Sequence, residues 1–93
     1  MQYEMLKLNR HKQFIKDFSK QNISEQHYAK YIVHLSQLLQ EQALPPEALD
    51  HQLKGEWEGF REFHISGDLL IIYQIKNDFL ILARIGTHSQ LFN

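Results

Sequence analysis

Four side chains in the second half of the sequence could do chemistry together: His51, His64, Asp68 and His88. Imidazole titrates near neutral pH and can both take and give a proton, which hydrolysis or transesterification of a phosphodiester requires. A neighbouring carboxylate fixes the tautomer of an imidazole and favours its charged form. The same four residues would equally suit a zinc ion bound by histidine and carboxylate, so spacing alone leaves both chemistries open. Lys54, Arg61 and Arg84 surround them in sequence as phosphate contacts, and Trp57, Phe60 and Phe92 as rings able to stack on bases. Trp57 and Phe60 read first as core or sheet-edge packing. Phe92 stands next to the last residue, where a large apolar side chain has little core to enter. His27 and His34 lie on a helical stretch and read as solvated or rim positions.

The elements that must hold these groups change period halfway along the chain. Tyr3 to Leu8 alternates weakly, as a short strand would. His11 to Lys20 places Phe14, Ile15 and Phe18 at helical spacing. Asn22 or Ser24 can cap a second helix, with Glu25 in a box-like position after Asn22. Along it Tyr28, Tyr31, Ile32, Leu35, Leu38, Leu39 and Gln42 follow the i, i+3, i+4, i+7 rule until Pro45-Pro46 ends the run. From Phe60 onward the residues are branched and aromatic, in three runs: Phe60 to Ile65, Leu69 to Lys76, and Phe79 to Ile85. The links Ser66-Gly67-Asp68 and Asn77-Asp78 are too short for anything but antiparallel neighbours. The last two runs are apolar on both parities, so one sheet face must pack on the helices and the other must meet something besides water. These constraints predict an α+β domain, two N-terminal helices packed on a curved antiparallel sheet. Its outer face is left for a substrate or a protein partner.

A chain of 93 residues is short enough for residues 1–93 to make a single domain with a thin core. It has no cysteine, which removes disulfides and thiolate metal sites. The N-terminus lacks the apolar stretch of a signal peptide and the length of a membrane span, so the expected location is cytoplasmic, with no membrane partner. The formal net charge of −1 does not favour nucleic-acid binding by bulk electrostatics. The charge is uneven, however: residues 1–20 carry five basic side chains against two acidic, and residues 41–60 one against five.

Four linked stretches carry a family resemblance. They are His51-Gln52-Leu53-Lys54-Gly55-Glu56-Trp57, Phe60-Arg61-Glu62-Phe63-His64-Ile65, Asp68-Leu69-Leu70-Ile71-Ile72-Tyr73, and Arg84-Ile85-Gly86-Thr87-His88-Ser89-Gln90-Leu91-Phe92. In this order they resemble the YafQ branch of the RelE/ParE toxin superfamily, and the helix pair of the first half agrees. The resemblance implies a RelE-like fold and the toxin of a type II toxin–antitoxin pair, an endoribonuclease that cuts mRNA on the 70S ribosome, in its A site, without a cofactor or metal. It puts acid–base residues at His51, His64, Asp68 and His88 and an aromatic nucleotide clamp at Phe92. His88 would be the general acid, Asp68 or His51 the base, and His64 a brace for charge on the phosphate. It also implies a DinJ-like, DNA-binding antitoxin, through which the toxin would reach operator DNA indirectly. Phe63 departs from the family where a cysteine is expected, and Ser66-Gly67 where a lysine–proline pair is; the near-neutral charge departs from the basic habit of these toxins. Two other classes stay open: a ParE-like toxin that binds DNA gyrase without catalysis, and a zinc hydrolase built on the same histidines.

Overall fold

A computed structural model describes residues 4–92. A short strand β1 (Lys7–Arg10) leads into helices α1 (Lys12–Lys20) and α2 (Glu25–Leu39). After a single 3-10 turn come β2 (His51–Gln52), a second such turn, β3 (Arg61–Ser66), β4 (Leu69–Lys76), β5 (Phe79–Gly86) and a terminal helical turn α3 (His88–Leu91). The strands lie in the order β1-β5-β4-β3-β2. The three long strands and β2 pair antiparallel, as their short links require. β1 instead pairs parallel to β5, with Leu8 opposite Leu80, so the sheet is mixed. The strand begins later than the Tyr3–Leu8 alternation suggested; Tyr3 itself lies outside the described residues.

Helix α1 starts where His11 turns its ring Nδ1 to accept from the Gln13 N–H, and α2 where the Ser24 hydroxyl, rather than Asn22, accepts from the His27 N–H. Phe14, Tyr31 and Leu38 from the helices meet Phe63, Ile65, Ile71, Tyr73, Leu80, Leu82 and Ile85 from one sheet face in the main core. The buried stripe of α2 is Tyr31, His34 and Leu38, at i, i+3 and i+7. Tyr28 and Ile32, expected on that face, are exposed. His34, expected at the rim, is 3% exposed and sets its ring edge-on against Phe63. The correction has a geometric cause: α2 touches the sheet along a narrow stripe, so the residue between Tyr31 and Leu38 on that stripe goes inside whatever its polarity. His27 is half-buried, as expected.

The outer sheet face is less bare than its apolar runs suggested. Leu70, Ile72, Ala83 and Leu91 form a second cluster there, roofed by Leu53, Trp57 and Phe60. Trp57 and Phe60 therefore pack, ring edge to ring face at 5.2 Å, as their simpler reading had it. His64 and Glu62 lie on the same face, directly opposite Leu70 and Ile72 of this cluster.

Candidate active site

Strand side chains two apart share a face, which places Glu62 and His64 together on the outer surface of β3. β2, only two residues long, sets His51 directly opposite Glu62. The backbone at Leu49 takes a left-handed turn, φ 53°, and its carbonyl accepts from His51 Nδ1 at 2.6 Å. A carbonyl only accepts, so Nδ1 carries the hydrogen and Nε2 is left to take or give a proton. That Nε2 lies 3.3 Å from Glu62 Oε2. His64 brings its own Nε2 to 3.2 Å from the same oxygen, while its Nδ1 is buried with no hydrogen-bond partner among the described residues.

His88 reaches the group from α3, whose first turn is built for precision. Thr87 Oγ1 accepts from the Gln90 N–H and Gln90 Oε1 accepts from the Thr87 N–H, a reciprocal capping box. Gly86, just before it, allows this close approach: a Cβ there would stand 2.8 Å from Gln90 Oε1 and 3.2 Å from Leu91. His88 Nε2 ends 3.8 Å from Glu62 Oε2, with its ring 5.5 Å from that of His64 and 5.7 Å from that of Phe92. Three imidazole Nε2 atoms thus converge on one oxygen of a carboxylate that is 3% exposed. His51 and His88 are open to solvent, and Phe92 is 41% exposed beside them, so a substrate can reach the group.

Glu62 is the residue the sequence reading missed. Its signal was available in the alternation Glu62-Phe63-His64, which puts a carboxylate and an imidazole on the same strand face. Asp68, by contrast, is exposed in the β3–β4 turn, with Oδ1 3.5 Å from the backbone nitrogen of His88. It meets the start of α3 and not the imidazole cluster. The expected phosphate contacts are also differently engaged. Arg84 gives Nε and Nη2 to Asp17 at 2.7 and 3.1 Å, and Arg61 gives Nε to Asp50 at 3.1 Å. Lys54 is exposed and lines, with Arg61, Gln52 and Gln74, a groove of about 670 Å³ beside the site.

The arrangement can move protons between nitrogens that face one carboxylate, and it offers ligand atoms to a metal: those of Glu62, His64 and His88 lie within 4.8 Å of one another. Two helices against a mixed sheet, with a histidine cluster beside a C-terminal aromatic, define a small bacterial toxin domain of the RelE/ParE type. Residues 6–93 match the family described as bacterial toxin of type II toxin–antitoxin system, YafQ, and the chain belongs to that family. A YafQ toxin of Haemophilus influenzae is 40% identical over 92 residues, covering 91% of this chain and 90% of its own. The mRNA interferase toxin YafQ of Escherichia coli is 39% identical over 61 residues, 63% of this chain and 66% of that one. The toxin in the crystal structure of the Escherichia coli DinJ–YafQ complex superimposes with a TM-score of 0.82 at 28% identity, over 95% of this chain and 99% of that one. A metal-bound toxin from Helicobacter pylori superimposes with a TM-score of 0.84 at 39% identity, over 95% and 100%. Among the described residues no helix is long and apolar enough to cross a membrane.

Proposed function

We propose that this chain is an mRNA interferase that cuts mRNA on the ribosome by metal-independent transesterification and is held in check by a DinJ-like antitoxin. The observation that carries the reading is the convergence of His51, His64 and His88 Nε2 on Glu62 Oε2. With Nδ1 committed to the Leu49 carbonyl, His51 Nε2 takes the proton of a ribose 2′-hydroxyl, and Glu62 stabilises the imidazolium that forms. The 2′-oxygen forms its bond to phosphorus as the bond from phosphorus to the 5′-oxygen breaks. His88 gives a proton to that leaving oxygen, and the products are a 2′,3′-cyclic phosphate and a 5′-hydroxyl. Glu62 also holds His64, which faces the phosphate as charge builds, while Phe92 keeps the nucleotide splayed for in-line attack. A gyrase-binding toxin would have no use for this cluster, which favours the enzyme over the binder.

A substrate with one 2′-deoxy nucleotide on the 5′ side of the scissile bond tests the mechanism on programmed ribosomes. The deoxy substrate stays intact, and toxin treated with chelator, with magnesium restored for the ribosome, cleaves the ribose substrate normally. Cleavage of the deoxy substrate would sink the mechanism. His88→Ala, at an exposed position, folds and loses on the order of 10² to 10⁴ in rate; full toxicity of the folded variant would remove His88 from its role.

A further inference from the structure

A cavity of about 380 Å³ opens beside the Trp57–Phe60 pair and shares no lining residue with the imidazole cluster. Its volume is that of a small-molecule site, roughly 300–1,000 Å³. Trp57, Phe60 and Ile81 give it an apolar wall, and His11, Gln13 and Arg84 a polar one. Trp57 and Phe60 are only half-buried, so the roof they form over Leu70 and Ile72 leaves part of each ring free to meet a ligand. The polar wall is preset. Asp17 takes Nε and Nη2 of Arg84 and Nε2 of Gln13, which leaves Arg84 Nη1 as a donor and Gln13 Oε1 as an acceptor without partners among the described residues. His11 Nδ1 accepts from the Gln13 N–H, so Nε2 carries the hydrogen and is a second donor. Oriented polar atoms facing aromatic rings suit a flat heteroaromatic ligand. Arg10 and Lys12, on either side of His11 in the chain, are exposed, so a phosphate attached to that ligand meets positive charge.

We propose that this cavity is a second nucleotide subsite, which takes an unpaired purine of the substrate RNA against Trp57 and Phe60. Gln13, Arg84 and His11 read the edge of the base. The proposal rests on the mRNA-cutting reading above, which brings single-stranded RNA to this face. A purine is favoured over a pyrimidine because its larger ring system gains more from stacking and better fills the space. Ala83, which lines the cavity, precedes Gly86 by three residues of β5, about 10 Å of strand. The subsite therefore holds a base near the cut and not the nucleotide that is cut, and it acts on which RNA is bound rather than on proton transfer.

Trp57 is the single tryptophan, so its fluorescence reports occupancy directly. Purified full-length toxin is titrated with 2′-O-methyl tetranucleotides, which the toxin cannot cut, of alternating purines or alternating pyrimidines. The purine oligonucleotide quenches Trp57 and binds about tenfold tighter than the pyrimidine one. Gln13→Ala and Ile81→Glu, each checked for folding by urea unfolding, lose that difference, while His27→Gln, on α2, keeps it. On programmed ribosomes the same two variants raise KM for messages with purines beside the cut codon. Equal affinity for the two oligonucleotides, or no response of Trp57, would overturn the subsite, as would full purine preference in both folded variants. Adenosine monophosphate binding as tightly as the oligonucleotide would overturn RNA as the source of the base. Trp57 fluorescence that answers to the antitoxin and not to RNA would give the cavity to protein and end the proposal. Purine-selective quenching in a toxin that cuts no mRNA on ribosomes would uphold the cavity's preference and end the mRNA-cutting reading instead.

Discussion

Asp17 on the first helix and Arg84 on the last strand, 67 residues apart in the chain, meet in a two-point contact of 2.7 and 3.1 Å. Asp17 also accepts from the Ile85 N–H and the Gln13 amide, so one buried carboxylate ties α1 to the end of β5, just ahead of the turn that carries His88.

That carboxylate makes stability depend on pH with a defined sign. Burial pushes the Asp17 carboxyl up, but the hydrogen bonds from Arg84, Gln13 and Ile85 outweigh it, and the net shift is down. A carboxylate with a depressed folded value contributes stability that is fully present above its unfolded value, near 4. The contribution is lost as pH falls through the folded value. Asp17→Asn should cost about 2 kcal/mol at pH 7. The gap between variant and wild type, followed by urea unfolding, should close as pH drops below the unfolded value. A gap that stayed constant down to acid pH would show that the charge of Asp17 contributes nothing.

His34 should be a liability that substitution removes. It is 3% exposed, and neither ring nitrogen has a hydrogen-bond partner among the described residues. Burying polar atoms unpaired costs on the order of 1–3 kcal/mol. His34→Leu, which keeps an apolar contact with Phe63, should raise stability by about 1 kcal/mol. A fall in the urea midpoint would mean that the ring is better satisfied than its surroundings indicate.

Much of the fold could be read from periodicity, because long runs leave few options. The three branched-residue runs joined by two- and three-residue links had to be antiparallel neighbours, whereas α2 ends at Leu39, six residues before Pro45, because the chain turns left-handed at Glu41, φ 56°. What escaped reading depends on contacts between distant segments. The parallel pairing of β1 with β5 leaves no local pattern, and the burial of His34 follows from how α2 rolls onto β3. In the site, the histidines could be picked out by type, but their convergence on Glu62 requires β2, a two-residue strand with no periodicity to detect. Arg61 and Arg84 were marked as phosphate contacts by charge alone; their partners Asp50 and Asp17 lie 11 and 67 residues away.

Asp68 should matter less than a general base would. Its side chain accepts from the backbone nitrogen of His88 at 3.5 Å, long for a hydrogen bond, so it acts mainly as a charge near the start of α3. Such a charge stabilises a helix end by roughly 0.3–1 kcal/mol. Asp68→Asn should therefore cleave within a fewfold of wild type, whereas loss of a general base costs on the order of 10² to 10⁴. A loss in the larger range, measured in single turnover on programmed ribosomes, would return the base role to Asp68 and take it from His51.

The placement of His51 should depend on a hydroxyl that never touches substrate. Tyr73 OH donates to Asp50 Oδ1 at 2.7 Å, and Arg61 Nε reaches the same oxygen at 3.1 Å. Burial, with Asp50 beside it, pushes the Tyr73 hydroxyl well above its ordinary value, so it stays a donor throughout the working range. Asp50 directly precedes His51, and with only two residues in β2 this network adds a side-chain tie between that segment and the sheet. Removing the hydroxyl should cost about 1–2 kcal/mol of stability. Tyr73→Phe should also slow cleavage, because His51 Nε2 is no longer held 3.3 Å from Glu62. A double-mutant cycle separates the two effects. In a His51→Ala background, Tyr73→Phe should retain its full stability cost and add nothing further to the loss of rate. If Tyr73→Phe slows cleavage by the same factor whether or not His51 is present, the hydroxyl does not act through His51, and the network serves stability alone.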